Sequence, residues 1–173
     1  MTQRVDLSTV MDRISIDAVI TGYAVAVDDG EWADYQALFT SDGRADYRTA
    51  GGIEGPASEV AQWLSQTMLL FPVRQHLIVN RRLDLQDLGG YPGDGAQVQA
   101  DYMNPMRLGD DAERGERAGD AGDAGEEARP AAPNFVSGGR YAFDLVRTDS
   151  GWRIRSVTVH EKWRSMTGAL AAG

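Results

Sequence analysis

Cysteine is missing from this sequence, and its absence excludes several kinds of chemistry. A chain without cysteine has no disulfide bridge, no thiol nucleophile and no cysteine-bound zinc. The absence is also typical of proteins that work in a reducing compartment. We therefore expect a cytoplasmic location.

Histidine is nearly as scarce, since His76 and His160 are the only two in the chain. A metal site built from three histidines is therefore excluded within one chain, and two histidines with one carboxylate are a weak alternative. We expect that the protein uses no metal and no other cofactor.

Long apolar runs and basic clusters are absent as well. No segment is long and apolar enough to span a bilayer, and residues 1–15 lack the apolar core of a signal peptide. Lysine and arginine together number 17, against 26 aspartates and glutamates, which gives a net charge of −9. We therefore expect neither a nucleic acid nor a membrane as a partner.

The patterns that are present predict helices first and strands afterwards. Apolar residues recur at helical spacing over residues 6–27 and 55–71, and residues 31–39 read as a short helix between them. Residues 43–51 form a short predicted strand. After Pro72 the apolar period changes to two, which predicts four antiparallel strands joined by turns. This order favours an α+β fold with helices on one face of a curved sheet.

One segment differs from the rest of the chain in composition. Residues 109–133 contain eight acidic and three basic side chains, and alanine is their only apolar residue type. Such a stretch buries too little surface to offset the entropy cost of ordering it. We expect a single domain over residues 1–173 with a disordered acidic insert at 109–133.

The first predicted helix ends on two adjacent aspartates, Asp28 and Asp29, just before Gly30. A negative charge at this end of a helix meets the negative end of the helix dipole, so both side chains need an explanation. One aspartate is explained if it caps the next helix. Tyr23 lies five residues earlier, so its side chain and that of Asp28 can flank one cavity.

Two further side chains attract attention on chemical grounds. His76 opens a predicted strand, where alternation places it on one face with Ile78 and Asn80. Tyr47 is a phenol on the short predicted strand. On spacing alone both residues are more often structural than catalytic, and His160 reads as a residue of the rim.

Four segments, taken together in their order, resemble the SnoaL-like domain of the nuclear-transport-factor-2-like superfamily. Within that superfamily they resemble scytalone dehydratase and the bile acid 7-alpha-dehydratases. The resemblance implies a cone-shaped α+β fold, with N-terminal helices packed on a curved, mainly antiparallel sheet that encloses a pocket. It covers nearly the whole chain outside the acidic insert. The four segments are YAVAVDDGEWADYQALF, ADYR, RQHLIVN and GGRYAFDLVRTDSGWRI.

The resemblance assigns roles to four residues. The helix-end aspartate of the family falls on Asp28, which leaves Asp29 for the capping role, and the histidine that opens the long strand falls on His76. The tyrosines of the first strand and of the first helix match Tyr47 and Tyr23. These matches imply that Asp28 orients His76, that His76 moves a proton, and that the tyrosines donate hydrogen bonds to a developing enolate oxygen.

The chain departs from scytalone dehydratase at several positions. Asn104 or Asp101 stands near the place of a second catalytic histidine, and Val27 replaces a tyrosine beside the aspartate. Gly139 and Tyr141 replace a polar serine and asparagine. The same substrate is therefore not expected.

We predict a substrate pocket for a hydrophobic cyclic molecule such as a steroid or polyketide. The predicted reaction is a dehydration or an isomerisation by acid–base catalysis. The predicted substrate-binding residues are Trp63, Phe71, Asn104 and Tyr141.

Two alternatives are left open. A non-catalytic ligand carrier or accessory subunit of the same fold would have a filled cone in place of an open pocket. Epoxide hydrolysis would need an arginine between two acids in the cavity, for which Arg74 and Arg140 are candidates. By resemblance alone, we also expect a homodimer or homotrimer.

Overall fold

The computed structural model describes residues 6–86, 89–109 and 132–167, which form helices followed by strands. Most of the predicted acidic insert at 109–133 lies outside the described residues. The helices are α1 (Leu7–Asp29), α2 (Trp32–Ala37) and α3 (Ala57–Thr67), with 3₁₀ turns at Arg48–Ala50 and Met68–Leu70. The strands are β1 (Phe39–Asp46), β2 (Glu54–Pro56), β3 (Val73–Arg74), β4 (Leu77–Gln86), β5 (Gly95–Arg107), β6 (Phe135–Thr148) and β7 (Gly151–Met166).

The sheet is mixed but mainly antiparallel, in the order β2-β1-β7-β6-β5-β3, with β4 also paired to β5. Strands β4 to β7 form the predicted antiparallel series. Strand β1 joins this series in parallel with β7, a pairing that the sequence pattern did not predict. The helices followed by this sheet confirm the predicted cone-type α+β fold.

Several local predictions need correction. Asp29 does not cap α2, because Glu31 precedes that helix and no side-chain cap bond is present. Tyr47 does not lie within a strand: β1 ends at Asp46, and the backbone N–H groups of Ala50 and Gly52 turn back onto the Tyr47 carbonyl. The short predicted helix ends early, because Phe39 already belongs to β1.

The alternation predicted for β4 holds for its first residues and then fails. Ile78 is buried, whereas Leu77 and Val79 are exposed. Asn80 breaks the pattern with a φ of 51°, and the pairing register shifts between Val79 and Arg82. Asn80 therefore leaves the buried face and bonds to Asp101 through its side-chain amide.

The hydrophobic core lies between the helices and one face of the sheet. From α1, apolar side chains at helical spacing enter this core, and in β5, β6 and β7 every second side chain faces it. Among the described residues, no helix combines the length and hydrophobicity that a membrane span requires. The largest fully buried side chains include Tyr23, Tyr35, Tyr141, Phe143, Ile16, Ile20, Leu145 and Ile154.

A buried ion pair fixes the first half of α1 to the sheet. Asp12 is 6% exposed and accepts hydrogen bonds from Arg147 Nη2 at 2.6 Å and from Trp152 Nε1 at 3.1 Å. The Arg147 guanidinium also stacks over the Trp152 ring, 4.7 Å from its centroid. The Arg147 hydrogen bond lowers the pKa of Asp12, against the opposing effect of burial and with help from Trp152.

We predict that Asp12→Asn lowers the free energy of unfolding by about 2–3 kcal/mol, because it removes the closer of the two carboxylates that pair with the partly buried Arg147, at 2.6 Å for Asp12 and 3.3 Å for Asp94. The matched control is Asp17→Asn on the same helix, whose carboxylate is 62% exposed and pairs with Arg81. That change should cost less than about 1 kcal/mol. Urea denaturation of the three proteins measures the difference, and equal effects would contradict this role of Asp12.

The same ion pair predicts a pH dependence. The pKa of Asp12 is lowered in the folded state, so the ion pair stabilises the fold above the ordinary aspartate value of about 3.9. This contribution is lost as the pH falls through the lowered folded-state value. Unfolding of the wild type should therefore be more acid-sensitive in this range than unfolding of Asp12→Asn.

The ends of β5 and β6 are joined to each other where the acidic segment departs. The Asn134 side chain accepts from the Leu108 backbone N–H at 2.7 Å and donates to the Leu108 carbonyl at 3.1 Å. The Asn134 backbone N–H also donates to the Met106 carbonyl. These bonds hold the two strands in register at this end.

We predict that replacing residues 110–131 by a short Gly-Ser turn changes the melting temperature by less than about 3 °C. Asn134→Ala in the shortened chain should lower it further, because the Leu108 backbone loses both partners. Thermal unfolding followed by circular dichroism measures both effects. Failure of the shortened chain to fold would show that the segment is structural.

Candidate active site

Asp28 and His76 meet where the end of α1 faces the start of β4. His76 Nδ1 lies 2.6 Å from Asp28 Oδ1. The backbone N–H of His76 also donates to both carboxylate oxygens, at 3.1 and 2.9 Å. The contact expected between these two residues is therefore confirmed.

This arrangement determines which histidine nitrogen is free. The ionised carboxylate accepts from Nδ1–H, so in the neutral ring Nε2 carries the lone pair. The His76 side chain is 8% exposed and lines the main cavity, while the Asp28 side chain is 21% exposed and lies behind it. Nε2 is thus the nitrogen that can take a proton from a molecule in the cavity.

The local chain path explains why an aspartate can end this helix. Gly30 adopts a left-handed φ of 76°, and the N–H of Glu31 bonds back to the Ala26 carbonyl, so the helix stops. The Arg74 guanidinium lies close by, 3.6 Å from where a Cβ at Gly30 would stand. This positive charge and the N–H groups of His76 offset the unfavourable meeting of Asp28 with the helix dipole.

Tyr23 and Tyr47 form a second polar pair. Their hydroxyls share a short hydrogen bond, but only Tyr47 lines the cavity, since Tyr23 is fully buried behind it. Burial raises the pKa of both phenols well above 10, and the neighbouring Tyr35 and Tyr141 add to the shift. Both groups are therefore neutral hydrogen-bond donors at ordinary pH.

The cavity beside His76 is mainly apolar and has a volume of about 220 Å³. The four predicted substrate-binding residues, Trp63, Phe71, Asn104 and Tyr141, all line it. The Trp63 ring packs beside Tyr47, with 6.1 Å between the ring centroids. Apolar walls with a few polar groups are typical of small-molecule sites.

Asn104 is buried with an unfulfilled hydrogen-bonding capacity. It is 5% exposed, and its Oδ1 has no hydrogen-bond partner among the described residues. Burial raises the pKa of Tyr141, and a hydrogen bond from the Asn104 amide opposes the shift. The remaining acceptor suits a donor group on a bound molecule, because a buried acceptor without a partner costs free energy.

The cavity is also lined by a cluster of four hydrogen-bonded polar side chains that the sequence analysis did not identify. Tyr102 OH lies 3.2 Å from Ser137 Oγ, which donates to Glu161 Oε2 at 3.1 Å. Glu161 Oε1 in turn accepts from Arg164 Nε at 2.6 Å. All four residues line the cavity. The Tyr102 ring fits here because Gly139 has no side chain. A Cβ at that position would lie only 2.9 Å from the ring.

One member of this cluster, Glu161, was detectable in the sequence. Alternation along β7 places Glu161 on the same face as Val157 and Val159, which are buried. Arg164 was not detectable in this way. The register pairs Gly139 with Glu161 and Gly138 with Trp163, so one extra residue in β7 returns Arg164 to the inner face.

Other candidates lie away from the cavity. Arg140 pairs with Asp101, Arg74 bonds to a backbone carbonyl, and His160 is exposed, and none of these residues lines the cavity. The arginine in the cavity is Arg164, with Glu161 as its acidic partner. Within the described ranges, no group of three or more histidine, aspartate or glutamate side chains is placed to hold a metal ion.

Comparison with known proteins gives both sequence and structural matches. The family model described as "SnoaL-like domain" matches residues 8–158. Rv2910c of Mycobacterium tuberculosis (strain ATCC 25618 / H37Rv) is 30% identical over 148 residues, covering 86% of this chain and 84% of that protein.

Two solved structures illustrate the likeness of fold. Kfla4162 protein from Kribbella flavida has a TM-score of 0.68 at 22% identity, covering 90% of this chain and 93% of that one. Hexachlorocyclohexane dehydrochlorinase LinA-type3 from Novosphingobium barchaimii LL02 has a TM-score of 0.69 at 14% identity, covering 96% and 97%. At these identities the two structures show a shared fold.

Proposed function

Because the chain belongs to the SnoaL-like family, we propose that it is a dehydratase or isomerase that needs no cofactor and acts on a hydrophobic cyclic molecule. The observation that carries this proposal is the Asp28–His76 hydrogen bond at the wall of an apolar cavity. It leaves one basic imidazole nitrogen facing the space where a substrate would lie.

The proposed reaction begins with a proton transfer to His76. Nε2 removes a proton from a carbon next to a substrate carbonyl, and the electron pair of that C–H bond moves to form an enolate. Asp28 stabilises the imidazolium that results, because its carboxylate accepts from Nδ1–H. A positioned base of this kind contributes about 10²–10⁴-fold to a rate.

Tyr47 is the proposed donor to the enolate oxygen. Its phenol lines the cavity and stays neutral because burial raises its pKa. Tyr23 acts through Tyr47: its hydroxyl does not line the cavity and in this mechanism donates to the Tyr47 oxygen, which leaves the single O–H of Tyr47 for the enolate. A donor already in place stabilises the developing charge without the reorganisation that water would need.

The second half of the reaction returns the proton. The His76 imidazolium gives it to a leaving hydroxyl, which departs as water and makes the protein a dehydratase, or to another carbon, which makes it an isomerase. The name of the LinA-type3 neighbour, a dehydrochlorinase, denotes another elimination. That likeness supports an elimination on this fold without indicating the substrate.

The alternative is a ligand carrier or accessory subunit without catalysis. In such a protein the polar residues would satisfy one another within a filled core. An open cavity of about 220 Å³, and an Asn104 Oδ1 without a partner among the described residues, count against a filled core. A ligand carrier would need the same open cavity, so the exchange of substrate protons separates it from the enzyme.

Deuterium exchange tests the base without knowledge of the natural substrate. β-Tetralone, a bicyclic ketone, is incubated with the protein in D₂O, and uptake of deuterium next to its carbonyl is followed by mass spectrometry. We predict that the wild type accelerates the exchange and that His76→Gln loses about 10²-fold or more. Tyr47→Phe should lose about tenfold or more, because it removes the oxyanion donor.

The matched control is His160→Gln, which removes the other, exposed histidine and should leave the exchange rate unchanged. Asp28→Asn should slow the deuterium exchange as His76→Gln does, since the imidazole ring of His76 then loses its charged partner. No acceleration by the wild type, or equal losses in the two histidine variants, would contradict the proposed base and favour the carrier.

A further inference from the structure

Polar side chains from four segments lie in one row across the inner face of the sheet. Asn104 pairs with Ser137, and Ser137 pairs with Arg164. His76 precedes Leu77, whose partner is Met103, so His76 stands beside Asn104. Because adjacent strands lie about 4.8 Å apart, the row extends about 14 Å from His76 to Arg164.

The far end of this row presents a cation. Of the described residues that line the cavity, Arg164 is the one lysine or arginine. Its guanidinium lies over the Phe135 ring, 6.0 Å from the ring centroid. The Arg164 side chain is 48% exposed, so the guanidinium stands at the mouth of the cavity. In a protein with a net charge of −9, which as a whole repels anions, this positive group can attract one locally.

A chain of hydrogen bonds holds Arg164 from one side. Glu161 binds its Nε and also accepts from Ser137, so both carboxylate oxygens are used. The backbone N–H of Glu161 is fixed by the Thr49 hydroxyl. The two terminal nitrogens of Arg164 have no hydrogen-bond partner among the described residues.

The free edge of the guanidinium matches a carboxylate. Its two terminal nitrogens present parallel N–H donors, the arrangement that binds both oxygens of a planar anion. Gly51 lies beside this edge and has no side chain to cover it; a Cβ added there would reach van der Waals contact with Arg164 Nη2, at 3.8 Å. The cavity as a whole is mainly apolar, and Asn104 and Ser137 are the polar side chains of the row between this edge and His76.

We propose that the cavity binds an amphipathic ligand whose carboxylate pairs with Arg164 while its apolar ring body extends toward His76. This inference rests on the proposed function, because it takes His76 as the reacting end. It narrows the substrate class to ring compounds that carry an acidic group at the end remote from the reacting carbon. Arg164 is a specificity-determining residue in this arrangement.

Two probes that differ only in charge test the inference. Naphthalenebutanoate and naphthalenebutanol share the ring and the chain, but only the first carries a carboxylate. Fluorescence titration should show that the wild type binds the carboxylate at least about tenfold more tightly than the alcohol. The two probes should displace each other, which places them in one cavity.

Two substitutions then test whether Arg164 is the residue that causes the preference for the carboxylate. Arg164→Gln should weaken carboxylate binding by about tenfold and change alcohol binding by less than about twofold. The matched control is Lys162→Gln, which removes the same charge two residues away, where the ammonium faces Asp101 outside the cavity. It should leave the binding of both probes unchanged.

A carboxylate preference that persists in Arg164→Gln, or that is absent in the wild type, would overturn this inference. The outcome is separable from that of the proposed function. A wild type that lacks the preference but still accelerates β-tetralone exchange would count against Arg164 alone. Absence of exchange while the preference is intact would count against the His76 base alone.

Discussion

The hydrogen bonds between Asp28 and His76 are the constraint on which the site depends. They join the C-terminal end of α1 to the residue just before β4, so they fix this end of the helix to the sheet as the Asp12–Arg147 pair fixes its first half. The donors of His76 also allow a carboxylate to stand at a helix end where the dipole disfavours it by some tenths of a kcal/mol. The same contact selects the imidazole nitrogen that faces the cavity.

The remaining groups complement this nitrogen along the cavity wall. Tyr47 is a neutral donor because burial disfavours its ionised form, and Tyr23 fixes its hydroxyl from behind. Asn104 has an acceptor to offer, and Arg164 supplies a positive charge at the opposite end. The cavity thus combines a base, a neutral donor, a free acceptor and a cation with mainly apolar walls. This combination suits an amphipathic molecule bound in one orientation.

The sequence predicted the helices, the antiparallel series and the residues of the dyad. The helices and the antiparallel series have local evidence, namely helical spacing and period-two alternation. Asp28 was singled out by its disfavoured place at a helix end, whereas His76 and its pairing with Asp28 came from the resemblance to the SnoaL-like domain. The parallel pairing of β1 with β7 was not predictable, since alternation does not name a strand's partner. Arg164 was missed because one extra residue in β7 reverses the direction of its side chain, and Asp29 was assigned a cap that α2 lacks.

Nitrogen NMR of the His76 ring during a titration with β-naphthol tests the central claim most directly. β-Naphthol is a stable aromatic counterpart of the β-tetralone enol, so its hydroxyl should approach the base. The account predicts that the Nε2 resonance shifts on binding, while Nδ1, held by Asp28, and both nitrogens of His160 stay in place. A shift confined to Nδ1, or none at His76 when the cavity is saturated, would contradict it.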